Sequence, residues 1–145
     1  MSVPKTVAAI TTSYYSTSHA DLLIGKILDG FDQAGGPGSE LRVGSLYLDQ
    51  HHPSGLGRAK AKEHDVPLVD TIEQAITLGT DTVAVDGVLL VGELGNYPRN
   101  TKGQTCYPRL RMFEDVVATF RKYGRVVPVF NDKHLAYNWH NAKWI

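Results

Sequence analysis

Four short polar segments carry most of the side chains in this sequence that could bind or act on a small molecule. They combine hydroxyl, carboxylate, imidazole and amine groups, and each follows a run of apolar residues: Thr11–Ser18, Asp49–His52, Gly92–Tyr97 and Asn131–His134. Loops between strands and helices are generally polar, which is the alternative explanation for each segment taken singly. If the apolar runs are parallel strands, all four segments meet at the carboxyl edge of one sheet, where such folds bind ligands.

The first segment is rich in hydroxyl groups and precedes an apolar pattern typical of a helix. Its hydroxyls and the free amides at the helix start could hold a phosphate or a carboxylate. Capping and turn formation are the alternative role. No glycine occurs between Val3 and Asp21, so the close backbone approach that a dinucleotide loop offers to a pyrophosphate is missing. The candidate cofactor-binding residues here are Thr12, Ser13, Ser16 and Ser18.

An acid and a long connection extend this candidate site. Asp49 ends the second apolar run, where a carboxylate can accept hydrogen bonds from ribose hydroxyls and would repel a 2′-phosphate, so it favours NAD over NADP if either binds. Capping of the following turn is the alternative. A connection of about fifteen residues follows the most apolar run and is long enough to suggest a functional loop. From it we expect Gly92, Glu93 and Asn96 to contact a cofactor.

Three other groups of side chains have types suited to chemistry. Two histidine-containing sets could bind a divalent metal, but neither has a recognised ligand spacing, so we predict no metal site; they are His51 with His52, and Asp132 with His134 and His140. Cys106 lacks an identifiable oxyanion motif and third partner for a cysteine hydrolase. A basic group could clamp an anionic ligand or form a solvated surface, and it comprises Arg99, Lys102, Arg109 and Arg111.

Alternating strand and helix patterns must position these residues. The strand-like runs are Val3–Thr11, Leu41–Asp49, Val66–Val69, Thr82–Val91 and Val126–Phe130. Helical patterns separate them: one capped by Ser18 and reaching Phe31, one over Leu56–Glu63, one from Thr71 to Gly79, and one after Pro108 with the apolar face Leu110, Phe113, Val116, Val117 and Phe120. This order predicts an α/β fold, a three-layer Rossmann-like parallel sheet with helices on both faces, in a single domain over residues 1–145.

Composition limits the classes of partner. Lys and Arg number 15, as do Asp and Glu, so the charge gives no support for binding nucleic acid or an anionic membrane. Cys106 is the one cysteine, which excludes an intrachain disulfide and favours a reducing compartment. The apolar run Val7–Ile10 is too short for a signal peptide or a membrane span. We therefore expect a cytoplasmic protein that binds a small molecule.

The order of the predicted elements and the later motifs resemble, over nearly the whole chain, the N-terminal domain of the Gfo/Idh/MocA family of NAD(P)-dependent sugar and inositol oxidoreductases. Two stretches carry the resemblance best. Thr82–Val91 is similar to the family's fourth strand, and Gly124–Ala136 is similar to its motif G-K-x-V-x-x-E-K-P-x-A. The resemblance implies that Asp132 and Lys133 occupy the acid and lysine positions of the active site. It also implies that Lys133 lies near the nicotinamide, where it polarises or hydrogen-bonds a substrate hydroxyl as hydride leaves.

The chain departs from the family in its first loop, in His134 where the family has proline, and in ending about where a substrate domain would begin. Two hypotheses follow. The first is the NAD(P)-binding domain of a sugar or polyol oxidoreductase without its substrate domain, and the second is a non-catalytic binding or assembly module that has lost dinucleotide binding. The tail Ala136–Ile145 carries both tryptophans, so we also expect a homo-oligomer that covers it.

Overall fold

The computed structural model describes residues 3–145, in which strands and helices alternate along the chain. The strands are β1 (Lys5–Thr11), β2 (Leu41–Leu48), β3 (Leu68–Val69), β4 (Gly87–Val91) and β5 (Val129–Asn131). The helices are α1 (His19–Leu28), α2 (Gly57–Glu63), α3 (Ile72–Thr77), α4 (Arg109–Tyr123) and α5 (Trp139–Trp144). Residues 1 and 2 of the expected domain lie outside the described residues.

All five strands pair in parallel, in the order β3-β2-β1-β4-β5. β1 and β4 are central, and every residue of β4 is buried, as expected for a strand that helices cover on both faces. β3 lies at an edge, which agrees with the missing amide hydrogen of Pro67 just before it. The predicted Rossmann-like α/β fold is therefore confirmed.

Helices cover the two faces of the sheet in pairs. On one face, Ala9, Leu46 and Leu89 pack against α1 and α2. On the other face, Ile10 and Leu90 pack against α3 and α4 in a cluster that includes Ala75, Ile76, Met112, Val116 and Phe120. These apolar contacts hold the carboxyl ends of β1, β4 and β5 in fixed relative positions.

Two predicted helix starts have the expected caps. The Ser18 hydroxyl accepts a hydrogen bond from the Asp21 amide at 3.2 Å and begins α1 at His19. Thr71 caps α3 in a capping box with Gln74. Because the cap fixes where α1 begins, it also fixes the direction in which His19 points from the strand edge.

Several element boundaries and one helix face differ from the sequence prediction. α1 ends at Leu28, because Gly30 takes φ +87° and turns the chain away, and Phe31 lies exposed beyond the helix. Residues 82–86 and 126–128 are not strand, although Val83, Val85 and Val127 are buried in the core as irregular backbone. The buried face of α4 is Arg109, Met112, Val116, Thr119 and Phe120, whereas Leu110, Phe113 and Val117 are half-buried.

The aromatic tail forms α5 and stays largely exposed. Trp139 is 74% exposed and Trp144 is 52% exposed, although the Trp144 ring meets Phe113 edge to face at 6.4 Å. In residues 3–145 no helix has the length and apolar character needed to cross a membrane.

Candidate functional site

The strand order reverses between β1 and β4: strands that follow β1 are added on one side of it, and strands from β4 onward are added on the other. From β1 the chain continues through α1 to β2, whereas from β4 it continues through α4 to β5 on the opposite side. The two outgoing connections leave a crevice at the carboxyl ends of β1 and β4, which is where open α/β sheets bind ligands. At this crevice the Thr12 hydroxyl donates a hydrogen bond to the carbonyl of Glu93 and so joins the two loops.

Four charged or titratable side chains meet at this crevice, and we refer to them as the edge cluster: His19, Glu93, Asp132 and Lys133. Nδ1 of His19 lies 2.8 Å from Oδ2 of Asp132 and 3.7 Å from Oε2 of Glu93. Nζ of Lys133 lies 2.6 Å from the same Glu93 oxygen and 3.1 Å from Nε2 of His19. The histidine ring is thus held between an acid at one nitrogen and an amine at the other.

The edge cluster is assembled from three separate parts of the chain. His19 is the first residue of α1, Glu93 follows β4, and Asp132 and Lys133 follow β5. Both carboxylates are largely buried, since the Asp132 and Glu93 side chains are 12% and 15% exposed. The backbone at Lys133 has φ +64°, a left-handed conformation that is costly for a residue with a β-carbon. The packing of β5 and the ion pair with Glu93 hold the lysine in this position.

Several buried polar atoms around the same strand ends have no hydrogen-bond partner. They are Oγ of Ser13, Nε of Arg109 and both polar atoms of the Asn131 amide. Oε2 of Glu93 also accepts no hydrogen bond of acceptable geometry, but it forms an ion pair with the Lys133 ammonium. Apart from the Tyr14 hydroxyl beneath α1, no other buried side-chain atom of residues 3–145 lacks a partner. Buried polar groups are nearly always satisfied, so this concentration indicates that a water or a ligand completes the site.

The neighbouring part of the strand edge is closed by its own side chains. Asp49 accepts hydrogen bonds from the hydroxyls of Tyr97 at 2.7 Å and Tyr47 at 2.8 Å, and it pairs with Arg111. Burial alone would raise the pKa of Asp49, but these donors outweigh it and hold that pKa below its usual range. The carboxylate that was expected to meet a ribose is therefore engaged with the long loop and α4.

The remaining predicted residues divide between these two parts. Asn96 is fixed by Gln50, whose amide accepts from the Asn96 backbone at 2.8 Å and donates to its carbonyl at 2.9 Å. Ser18 is committed to the cap of α1, and Ser16 is exposed outside the crevice. Gly92 lies directly beneath the Arg109 side chain. Of the predicted set, the structure thus brings Thr12, Gly92, Glu93, Asp132 and Lys133 to one place. The Ser13 hydroxyl lies instead beside Gly95 and Gln50, in the part that contains Asp49.

His19 was not among the predicted site residues. Its signal in the sequence is its position directly after the capping serine, because the first residue of the first helix stands at the strand edge in this fold. Arg109 was predicted only as one of four basic residues. Its burial could not be read from a helix periodicity that placed Leu110 on the inner face.

Among residues 3–145, two groups have donor atoms close enough together to hold a divalent cation. One is His19, Glu93 and Asp132, and the other is Asp29, Glu63 and His64; within each group the donor atoms lie within 4.8 Å of one another. In the first group the Lys133 ammonium already supplies a cation. In the second group Lys60 does so, and we refer to Asp29, Lys60, Glu63 and His64 as the helix cluster. Neither metal-ligand set considered from the sequence is among these groups.

A large apolar cleft in the described part of the chain includes no member of either cluster. It has a volume of about 630 Å³ and is lined mainly by apolar side chains of α1 and of the neighbouring sheet face, among them Leu22, Ile27, Val88 and Phe130. The unpartnered polar groups described above do not line it. The edge cluster, where polar groups converge, is therefore the candidate functional site.

Comparisons of the chain with protein-family models, with curated proteins and with solved structures found no match. The geometry of the edge cluster is consequently the basis on which a function is assigned.

Proposed function

We propose that this chain is a Rossmann-like domain that binds a small hydroxylated molecule at the edge cluster. The observation that carries the proposal is the group of unpartnered buried polar atoms of Arg109 and Asn131 beside that cluster, where Arg109 packs over Gly92 and Asn131 directly precedes Asp132. Leaving such atoms unpaired costs about 1–3 kcal/mol each, so a site that keeps several of them is suited to a polar ligand that supplies the missing partners.

The contacts of His19 also supply a route for a proton. If Nδ1–H donates to Asp132, then Nε2 is free to accept, and the Lys133 ammonium is the donor beside it at 3.1 Å. A ligand hydroxyl that replaces Lys133 at this nitrogen could transfer its proton to the ring, while Asp132 stabilises the resulting cation. The arrangement suits a general base that acts on a hydroxyl group.

A second candidate is the NAD(P)-dependent sugar or polyol oxidoreductase that the sequence resemblance implies. The observation that favours it is the position of Lys133 beside the β4 loop, where the resemblance places the lysine near substrate and nicotinamide. Binding of the adenosine half of NAD would require Asp49 to give up bonds to Tyr97, Tyr47 and Arg111. We therefore rank dinucleotide binding below binding of a small ligand. Between the two dinucleotides we rank NAD above NADP, because the Asp49 carboxylate repels a 2′-phosphate.

Nuclear magnetic resonance titration of the full chain with D-glucose and D-gluconate tests the first proposal. We expect at least one of these hydroxylated probes to shift the signals of His19, Glu93 and Lys133, and His19→Gln to weaken its binding about tenfold or more. His64→Gln is the matched control, because His64 also pairs with an aspartate, at 2.7 Å, but belongs to the helix cluster. Equal effects of the two substitutions, or no shift at the edge cluster with either probe, would contradict the proposal.

Calorimetry with NADH and NADPH tests the second candidate. We expect binding to be weak or undetectable, because the Asp49 carboxylate is engaged and the first loop has no glycine. Micromolar binding of NADH that Asp49→Ala reduces would instead establish the oxidoreductase alternative.

We also propose that the chain self-associates through α5, as a symmetric dimer or a larger closed oligomer, and that it resides in the cytoplasm. Trp139 and Trp144 leave apolar area in contact with water, which a second copy would cover at a gain of roughly 25 cal/mol per Å². The single thiol of Cys106 suits a reducing compartment. Light scattering should give a mass above 15.9 kDa that falls to this value in Trp139→Ala; a monomeric wild-type chain would refute self-association.

A further inference from the structure

Arg109 is a buried cation at the start of α4. It is 3% exposed, it is the first residue of the helix, and Pro108 before it makes no side-chain cap. Its guanidinium carbon lies 4.9 Å from the centre of the Tyr107 ring. A β-carbon at Gly92 would lie 2.6 Å from Cγ of Arg109, so a glycine is required there for the arginine to pack over the β4 loop.

The guanidinium has no acid partner. No ion pair among residues 3–145 includes Arg109, and its Nε has no hydrogen-bond partner. By contrast, Arg111 pairs with Asp49 and Asp115. A buried charge is normally paired because its desolvation is costly, so an unpaired one calls for an explanation.

The neighbouring charges do not supply that partner. Burial lowers the pKa of the Arg109 guanidinium, and two neighbours oppose this: first Tyr107, and then the Asp132 charge from beyond ion-pair distance. Asp132 is held by His19 at 2.8 Å, and Glu93 is held by Lys133 at 2.6 Å. The two acids of the edge cluster thus have their own cations, and Arg109 is the additional positive charge at this strand edge.

From this geometry we propose that Arg109 binds the anionic group of the ligand, a carboxylate or a phosphate, at the start of α4 beside the edge cluster. The inference rests on the proposed function, because it names the charge class of the molecule bound there. The guanidinium offers parallel N–H donors that suit either oxyanion. The N-terminal dipole of the fifteen-residue helix favours the same charge, and Asn131 adds an unpartnered amide at this edge. The ligand is thus a hydroxylated acid or a phosphorylated polyol.

Three probes that share one carbon skeleton test this assignment: D-glucose, D-gluconate and D-glucose 6-phosphate. We expect the two anionic probes to shift the Arg109 Nε–H signal in nitrogen-resolved magnetic resonance spectra of the full chain, and to bind about tenfold or more tightly than the neutral sugar. Preference for gluconate would identify the anion as a carboxylate, and preference for glucose 6-phosphate would identify it as a phosphate.

Arg109→Met should remove the preference for the anionic probes, and Arg109→Lys should reduce it, because the amine keeps the charge but not the planar pair of donors. Arg121→Met is the matched control, since Arg121 lies exposed in the last turn of the same helix. If Arg109→Met does not fold, Arg109→Lys and the wild-type Nε–H signal still decide the question.

The results separate this inference from the function on which it rests. Equal binding of all three probes with shifts at His19 would retain the edge-cluster site and overturn the anion assignment. Anions that shift Arg109 without shifting His19 would retain the anion assignment and contradict the proposed function. Anionic probes that leave the Arg109 signal unchanged at about 10 mM would overturn the assignment.

Discussion

The same four residue types, an aspartate, a glutamate, a histidine and a lysine, form both the edge cluster and the helix cluster. In the helix cluster, Lys60 of α2 and His64, which directly follows α2, meet Asp29 at the end of α1, at 3.0 and 2.7 Å. In the edge cluster, His19 meets Asp132 from 113 residues away. The pairwise distances are similar, so composition and closeness alone do not distinguish the two groups.

The surroundings of the two clusters differ. No member of the helix cluster has a buried polar atom without a partner, and Lys60 lies in the last turn of α2, where the helix dipole stabilises a positive charge. The edge cluster adjoins unpartnered atoms of Arg109 and Asn131. The helix cluster therefore has the features of a structural contact between α1 and α2, and the edge cluster has those of a binding site.

The largest expected difference between the clusters is in stability. Asp29→Asn should lower the free energy of unfolding by about 2 kcal/mol, because Asp29 holds two cationic or titratable partners in a largely buried position. Asp132→Asn should cost less than about 1 kcal/mol, because a site optimised for a ligand contributes less to the stability of the free protein. Denaturant unfolding measures both, and equal losses would mean that the clusters serve the same structural purpose.

The same contact predicts how stability depends on pH. Burial alone would raise the pKa of Asp29, but hydrogen bonds from Lys60 and His64 hold it below its usual range. A carboxyl group with a depressed folded-state pKa stabilises the protein above its unfolded pKa, near 3.9, and this contribution is lost as the pH falls through the folded value. The stability gap between wild type and Asp29→Asn should narrow by about 1 kcal/mol below about pH 4. A stability difference between the two proteins that stays constant to within about 0.5 kcal/mol down to pH 2.5 would contradict this prediction.

Replacing an unpartnered group at the neighbouring part of the strand edge should increase stability. Ser13 is 2% exposed and its hydroxyl has no partner, so Ser13→Ala should add about 1 kcal/mol to the free energy of unfolding. Thr11→Val is the control, because the Thr11 hydroxyl donates to Val91 at 3.0 Å, and its loss should cost about 1 kcal/mol. A destabilised Ser13→Ala would show that this hydroxyl has a partner in the free protein, such as a fixed water molecule.

The parts of this molecule that follow from local patterns were predictable from its sequence. Ser18 lies directly before a helical apolar pattern, so its cap and the start of α1 follow from neighbouring residues. The run that became β4 is apolar at every position from Val88 to Val91, which predicted a strand covered on both faces. These features led to the correct fold.

Long-range pairing within the site was not predictable in this way. Asp49 is bonded by Tyr97, 48 residues later, and no spacing rule links the two. The inner face of α4 includes Arg109 because Gly92 leaves room for it, whereas periodicity alone favoured Leu110. Which polar residues complete one another, and which remain unpartnered, depends on the packing of distant segments and required the structure.

The smallest expected effect concerns the backbone at Lys133. A left-handed φ of +64° costs a residue with a β-carbon about 1–2 kcal/mol, which glycine avoids at an entropic cost of about 0.5–1 kcal/mol. Lys133→Gly also removes the ion pair with Glu93, worth about 0–1 kcal/mol, so we expect the free energy of unfolding of this variant to stay within about 0.5 kcal/mol of wild type.

Thr17→Gly is the control, because Thr17 has φ +62° without an ion pair, so this variant should gain about 0.5 kcal/mol in the free energy of unfolding. The difference between the two glycine variants in thermal unfolding then measures the Lys133–Glu93 pair. A loss above about 1.5 kcal/mol in Lys133→Gly alone would show that the lysine stabilises the fold as much as the helix cluster does, and would remove the contrast between the clusters.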